Sequence, residues 1–132
     1  MKFVKYDQIH NFIKKVLIKN KVSTYTSITV AKSLSDASLR GIDSHGIRLF
    51  DHYLNSFING RKNKNPKFKF SKKFPTLISL DANHASGITA GFKAINHCSK
   101  FAKKYGICAV SVFNSSHPGA LSTITLEAIK HN

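Results

Sequence analysis

Leu39-Arg40-Gly41-Ile42-Asp43-Ser44-His45-Gly46-Ile47-Arg48-Leu49-Phe50-Asp51-His52-Tyr53 gathers more chemically capable side chains than any other run of its length in the chain. Gly41 stands where a preceding helix needs a left-handed C-terminal residue. Ser44 is placed to cap a following helix through its hydroxyl oxygen. A helix running from about Ser44 puts His45 in its first turn and Arg48 one turn further on, on the same face. An acid/base group that works near neutral pH and a fixed cation then point the same way beside a positive helix end. That suits a small anionic substrate. On spacing alone the plainer reading is the stronger: a helix–turn–helix joint with a capping serine and a hydrogen-bonded histidine.

Upstream of this run, Asp7 opens a helix whose apolar stripe is Ile9, Phe12, Ile13, Val16 and Leu17. Ser23 or Thr24 caps a second helix carrying Ile28, Ala31, Leu34 and Leu39, and Gly41 ends it. The third helix, from about Ser44 to Gly60, buries Leu49, Tyr53 and Phe57. Residues 1–60 therefore read as a helical subdomain of three amphipathic helices.

Residues 61–75 are a different text. Seven of the thirteen residues 61–73 are basic, interleaved with Phe68 and Phe70. A groove for single-stranded nucleic acid has that composition. The period-two alternation Lys67-Phe68-Lys69-Phe70 is also that of an edge strand with lysines facing water, and this reading is preferred. Residues 76–132 then read strand, helix, strand, loop, helix, the first part of a layered α/β domain. The strand is 76–81 and the helix follows Gly87 and Gly91, passing through Phe92, Ile95, Cys98, Ala102 and Tyr105 to Gly106. The glycine pair either lets backbone N–H groups approach a phosphate or permits close helix packing, and it lacks the full dinucleotide fingerprint. The continuous apolar run 107–113 reads as a buried strand. His117 follows it directly, where polar residues line ligand crevices in α/β sheets, and Pro118 suits a first helical turn.

The formal net charge is +15, from 21 Lys and Arg against 6 Asp and Glu. That balance raises nucleic acid or an anionic membrane as partner. Only Arg40, Arg48 and Arg61 are arginines, however, and base readout and bidentate phosphate recognition favour arginine. Solvated lysine is the preferred reading, with a basic nucleic-acid-binding domain as the alternative. Cys98 and Cys108 have no metal-site spacing and read as free thiols of a reducing compartment. No segment reads as a signal peptide or a membrane span, so a soluble cytoplasmic protein with neither metal nor membrane partner is expected.

Two segments carry a resemblance. The run Arg40-Gly41-Ile42-Asp43-Ser44-His45-Gly46, followed by Arg48 and Tyr53, resembles a signature of the malate/L-lactate dehydrogenase family, which includes ureidoglycolate and sulfolactate dehydrogenases. Val112-Phe113-Asn114-Ser115-Ser116-His117-Pro118-Gly119-Ala120 resembles a second, in the family's order and separation, and Gly60-Arg61 and Leu80-Asp81-Ala82 agree. The resemblance covers essentially the whole chain. It implies a non-Rossmann α/β fold and hydride transfer between NAD or NADP and a 2-hydroxy or 2-keto acid. His117 would be the catalytic acid/base, while Ser44, His45, Arg48 and Tyr53 would contact substrate. Family members are much longer, so the chain is expected to match their N-terminal part, with most cofactor contacts beyond residue 132. The family's usual homodimer, or a complementing C-terminal chain, is the implied partner, and a non-catalytic remnant that only associates with another subunit is a further alternative. Members often carry the substrate arginine one position after Arg48, where this chain has Leu49.

Overall fold

The computed structural model describes residues 3–131. Five helices and three strands follow in the order α1 (Tyr6–Lys19), α2 (Thr24–Leu39), α3 (Phe50–Ile58), β1 (Lys69–Phe74), β2 (Leu77–Asp81), α4 (Gly87–Tyr105), β3 (Ala109–Phe113) and α5 (Leu121–Ile129). Helix α2 is the hub. Ser23 caps it, its Oγ accepting the Thr26 N–H at 3.4 Å. At the other end Gly41 takes φ +71°, its N–H bonds to the Ser38 carbonyl at 3.0 Å, and the Ile42 N–H reaches the Ala37 carbonyl at 2.9 Å. This left-handed closure satisfies the last carbonyls of the helix, as the glycine led one to expect.

The faces of α2 depart from the sequence reading. Ile28 and Leu39, expected inside, are 38% and 72% exposed, whereas Val30, Ala31, Leu34 and Ala37 are fully buried. Thr26, Ser27, Thr29, Ser33 and Ser35 are buried beside them. Small side chains let neighbouring helices approach α2 from more than one side, so no single apolar stripe marks it. Two of their hydroxyls are paired across the contacts: Thr29 with Thr89 of α4 at 3.1 Å, and Ser33 with Thr123 of α5 at 2.9 Å. Pairing removes the penalty that burying a lone hydroxyl carries.

One apolar cluster joins Ile13 and Leu17 of α1, Val30 and Leu34 of α2, Tyr53 and Phe57 of α3, and Ile88 and Phe92 of α4. Burying each such side chain contributes about 1.5–3 kcal/mol. Phe12, assigned to the α1 stripe, lies at its margin, 56% exposed and edge-on to Phe50. The Tyr6 hydroxyl donates to Asp36 at 2.6 Å and ties α1 to α2.

The third helix starts later than expected. Asp43–His45 and Ile47–Leu49 are separate 3₁₀ turns, and α3 begins only at Phe50. Gly46 interrupts them with φ −93° and ψ −148°, outside the helical region. It is held there because the Ile47 N–H bonds to Ser38 Oγ at 2.8 Å, and a Cβ on Gly46 would lie only 3.1 Å from the Ser38 backbone nitrogen. Ser44 therefore caps no helix, and His45 and Arg48 do not share a helix face.

The sheet has the order β1-β2-β3, with β1 antiparallel and β3 parallel to β2. Helix α4 is the crossover that a parallel pair requires. The edge-strand reading of the basic segment holds for β1, which begins at Lys69 and lies at the margin of the sheet. Strand β3 is not the buried strand its apolar run suggested: Val112 and Phe113 are 37% and 49% exposed. Among the described residues it too is an edge, and only Ile78 and Leu80 of the central β2 are sealed. No described helix is long and apolar enough to cross a membrane.

Candidate active site

The loop after β3 is pinned by backbone packing. The Ser116 hydroxyl donates to the Ala85 carbonyl at 3.3 Å and accepts the Gly87 N–H at 3.2 Å, while the His84 N–H bonds to the Asn114 carbonyl at 2.7 Å. A Cβ on Gly87 would collide with the Ser116 carbonyl oxygen and fall 2.6 Å from the carbonyl of His117. Gly91 packs against the side chain of Ile124 of α5, which would have to move to admit a methyl group there. Both glycines serve close packing. The one N–H of α4 that a phosphate would need first, that of Gly87, is already given to Ser116.

His117 is met from the other side by Tyr53, which α3 delivers fully buried. The Tyr53 hydroxyl lies 3.1 Å from His117 Nδ1 and 3.3 Å from the His117 carbonyl oxygen. The Gly119 N–H also points at Nδ1, at 3.3 Å. A backbone N–H can only donate, so Nδ1 is the acceptor there and the neutral ring carries its proton on Nε2. The Tyr53 O–H has two acceptors in reach. It can donate to Nδ1 when that nitrogen is bare, or turn to the carbonyl and let a protonated Nδ1 donate to its oxygen.

His45 approaches the same ring, with centroids 5.5 Å apart and planes 27° from parallel. Ser44 holds His45 through a 2.9 Å contact between Oγ and Nδ1. His45 and His117 line an open groove of 480 Å³ with Ile42 and residues 118–122. Of the five residues singled out from the sequence, Ser44, His45, Tyr53 and His117 are therefore linked in one chain of contacts. Arg48 is not: it is exposed on the second 3₁₀ turn, makes no hydrogen bond or ion pair among the described residues, and does not line the groove.

Partial desolvation of the ring by the loop around it, followed by the nearby His45, Lys62 and His52, holds the His117 pKa below its ordinary value of 6.5. Burial pushes the Tyr53 hydroxyl up to about 12, so it remains a proton donor across the physiological range. Lys62, read from the sequence as one more solvated lysine, is only 5% exposed, with Nζ 3.8 Å above the Tyr53 ring. Burial and then Arg61 bring it down to about 8. Lys62 is the part of the site that sequence reading passed over, and Ser116 was quoted there only within the second segment of resemblance. Only the tight Gly60-Arg61-Lys62 turn, which leads the chain back under α3, hinted at Lys62.

The strand-to-helix loop thus presents a histidine to a buried tyrosine, with a second histidine stacked on it, beside one open groove. Residues 4–132 match the malate/L-lactate dehydrogenase family along their length, and the chain belongs to that family. A malate dehydrogenase of Pyrococcus abyssi (strain GE5 / Orsay) is 33% identical over 122 residues, 92% of this chain and 34% of that protein. The ureidoglycolate dehydrogenase (NAD(+)) of Escherichia coli (strain K12) is 28% identical over 124 residues, 94% of this chain and 36% of its own length. The crystal structure of malate dehydrogenase from Entamoeba histolytica superimposes with a TM-score of 0.93 at 32% identity, covering 98% of this chain and 36% of that one. The chain thus spans about a third of the length of these relatives.

Proposed function

We propose that the chain supplies the proton-transfer part of a dehydrogenase acting on a small 2-hydroxy or 2-keto acid with NAD or NADP. The observation that carries this reading is the Tyr53 hydroxyl placed 3.1 Å from His117 Nδ1 and 3.3 Å from its carbonyl oxygen. A bound nicotinamide would exchange hydride with the substrate carbon, and this chain's residues would handle the proton. In reduction, the doubly protonated His117 ring passes its Nε2 proton to the carbonyl oxygen, leaving the remaining ring proton on Nδ1 against the Tyr53 oxygen, whose O–H turns to the His117 carbonyl. Oxidation of the hydroxy acid runs the transfer backwards: the resting Nε2–H ring first shifts its proton to Nδ1, where the turned Tyr53 oxygen accepts it, and the emptied Nε2 then takes the substrate proton. A depressed histidine pKa favours the base role at neutral pH and makes reduction faster on the acid side.

His45, oriented by Ser44, stacks on His117 and gives the substrate a second polar contact. Tyr53 acts through His117 as a positioning residue. Arg48 is the weakest member of the expected set, for its exposure offers a carboxylate only a hydrated, long-stemmed cation. A cytoplasmic setting and a homodimer, or a second chain that supplies cofactor contacts, complete the proposal. Against the alternative of a basic nucleic-acid-binding domain stands the arginine-poor lysine set, and a remnant that merely associates would have no need of the His117 pairings.

The test is NADPH- and NADH-linked reduction of a panel of 2-keto acids that includes pyruvate and oxaloacetate. Turnover of at least one acid is expected, reduced at least 100-fold in His117→Ala with the fold retained by circular dichroism. Undiminished turnover in His117→Ala contradicts the assignment, whereas none from the folded chain alone points to the second chain that supplies the cofactor contacts.

A further inference from the structure

The proton chemistry above leaves one buried cation without a task. Lys62 leaves the α3 C-terminal turn with its backbone N–H bonded to the Ser56 carbonyl at 2.9 Å. Its side chain is 5% exposed, and Nζ, 3.8 Å above the Tyr53 ring and 6.0 Å from the Phe57 ring, makes no hydrogen bond among the described residues. A ring face attracts an ammonium from one side but leaves its N–H donors without acceptors. A buried ammonium in that condition is stabilised by whatever oxygen can reach it.

What can reach it is set by the cleft that Lys62 lines. This cleft, 600 Å³ in volume, is bordered by Arg61, Lys64 and His84, and no carboxylate lies among its lining residues. Its frame is fixed by hydrogen bonds. Asn63 donates its backbone N–H to the His84 carbonyl at 2.9 Å and its Nδ2 to Asn83 Oδ1 at 2.9 Å, and the Lys67 N–H reaches the same Oδ1 at 3.0 Å. Asn83 and His84 themselves are held at φ +50° and +58°, a left-handed pair that non-glycine residues adopt only when the surroundings impose it. A fixed cleft whose ionisable lining residues are all basic, with an unpartnered buried ammonium in its wall, is built for negative charge.

We infer that the cleft between the α3 C-terminus and the Asn83–His84 turn binds an oxyanion, a carboxylate or a phosphate, with Lys62 Nζ as its principal donor and Arg61, Lys64 and His84 around it. The cleft shares no lining residue with the groove at His117. Tyr53 stands between the two, its ring under Lys62 and its hydroxyl at His117. An anion on Lys62 therefore offsets one of the three positive neighbours, with His45 and His52, that disfavour protonation of His117. Occupancy raises the proton affinity of His117 without touching it. The inference does not depend on hydride transfer and stands or falls separately from it.

The experiment is an NMR titration of the ¹⁵N-labelled full chain with inorganic phosphate and, separately, with pyruvate, at ionic strength held constant by chloride. Saturable shifts of the Lys62, Asn63 and His84 amides are expected with at least one anion. Saturation by phosphate alone identifies a phosphate site, and saturation by pyruvate a carboxylate site. Lys62→Met should weaken binding at least tenfold, Lys62→Arg should retain it, and the surface change Arg61→Ala should weaken it without disturbing the fold. In the bound state the His117 ring should titrate at higher pH than in the free chain. Linear, unsaturated shifts with both anions, or equal affinity in Lys62→Met and the unaltered chain, would overturn the assignment.

Discussion

The core between helices α1, α2 and α3 and the three-stranded sheet of this molecule are closed to very different degrees. Ile13, Leu17, Leu34, Tyr53 and Phe57 have no exposed surface, whereas Phe74 and Leu77 in the sheet are 65% and 45% exposed and Ile107, just before β3, is 72% exposed. The site lies on the seam between them. Tyr53 is fixed because it is part of a sealed core. His117 is itself exposed and is fixed by the backbone of its loop, which rests on Gly87. One half of the acid/base pair is held by burial and the other by close approach, so the two are vulnerable to different changes.

The largest effect should come from the sealed side. Leu34→Ala is expected to cost about 2–5 kcal/mol in chemical denaturation, because the cavity it leaves is walled by helices that cannot collapse into it. Val112→Ala in β3, already 37% exposed, should cost about 1 kcal/mol or less. Equal costs at the two positions would break the distinction between the two regions.

Gly87→Ala sharpens it. The new methyl group has to displace the Ser116–His117 backbone, at about 1–3 kcal/mol of overpacking. It should also separate His117 from Tyr53 while leaving the α1–α3 core in place. Amide spectra should then change around residues 114–119 and not in α1. Spectra that change throughout the chain would show that the loop is not an independent unit.

Much of this was legible beforehand, and the exceptions are physical. Gly41 could be read because a left-handed helix end has a residue-specific cause. Gly106, at φ +82°, closed α4 for the same reason. Ser44 was misread because its capping role depended on a helix that Gly46 interrupts, and Gly46 is extended because Ser38, in the last turn of α2, takes the Ile47 N–H. Buried serines and threonines on α2 gave no apolar period to detect. Lys62 looked like its solvated neighbours since nothing local distinguishes a lysine folded under a tyrosine ring. For His117, position after a strand was readable from order alone, while its partner Tyr53 lies 64 residues away and only the fold brings them together.

The depressed pKa of His117 also bears on stability. The unfolded chain takes up that proton more readily than the folded one, so the contribution is complete above pH 6.5 and is lost as the pH falls from there toward the folded value.

The most direct measurement is a pH titration of the His117 ring nitrogens by ¹⁵N NMR, in the unaltered chain and in Tyr53→Phe. The expected result is a pKa below 6.5, with the neutral ring protonated on Nε2 and bare at Nδ1, and a shift in that tautomer balance once the Tyr53 hydroxyl is removed. A His117 that titrates at 6.5 or above, with tautomers unchanged in Tyr53→Phe, would contradict the account of Tyr53 and His117 as a coupled acid/base pair.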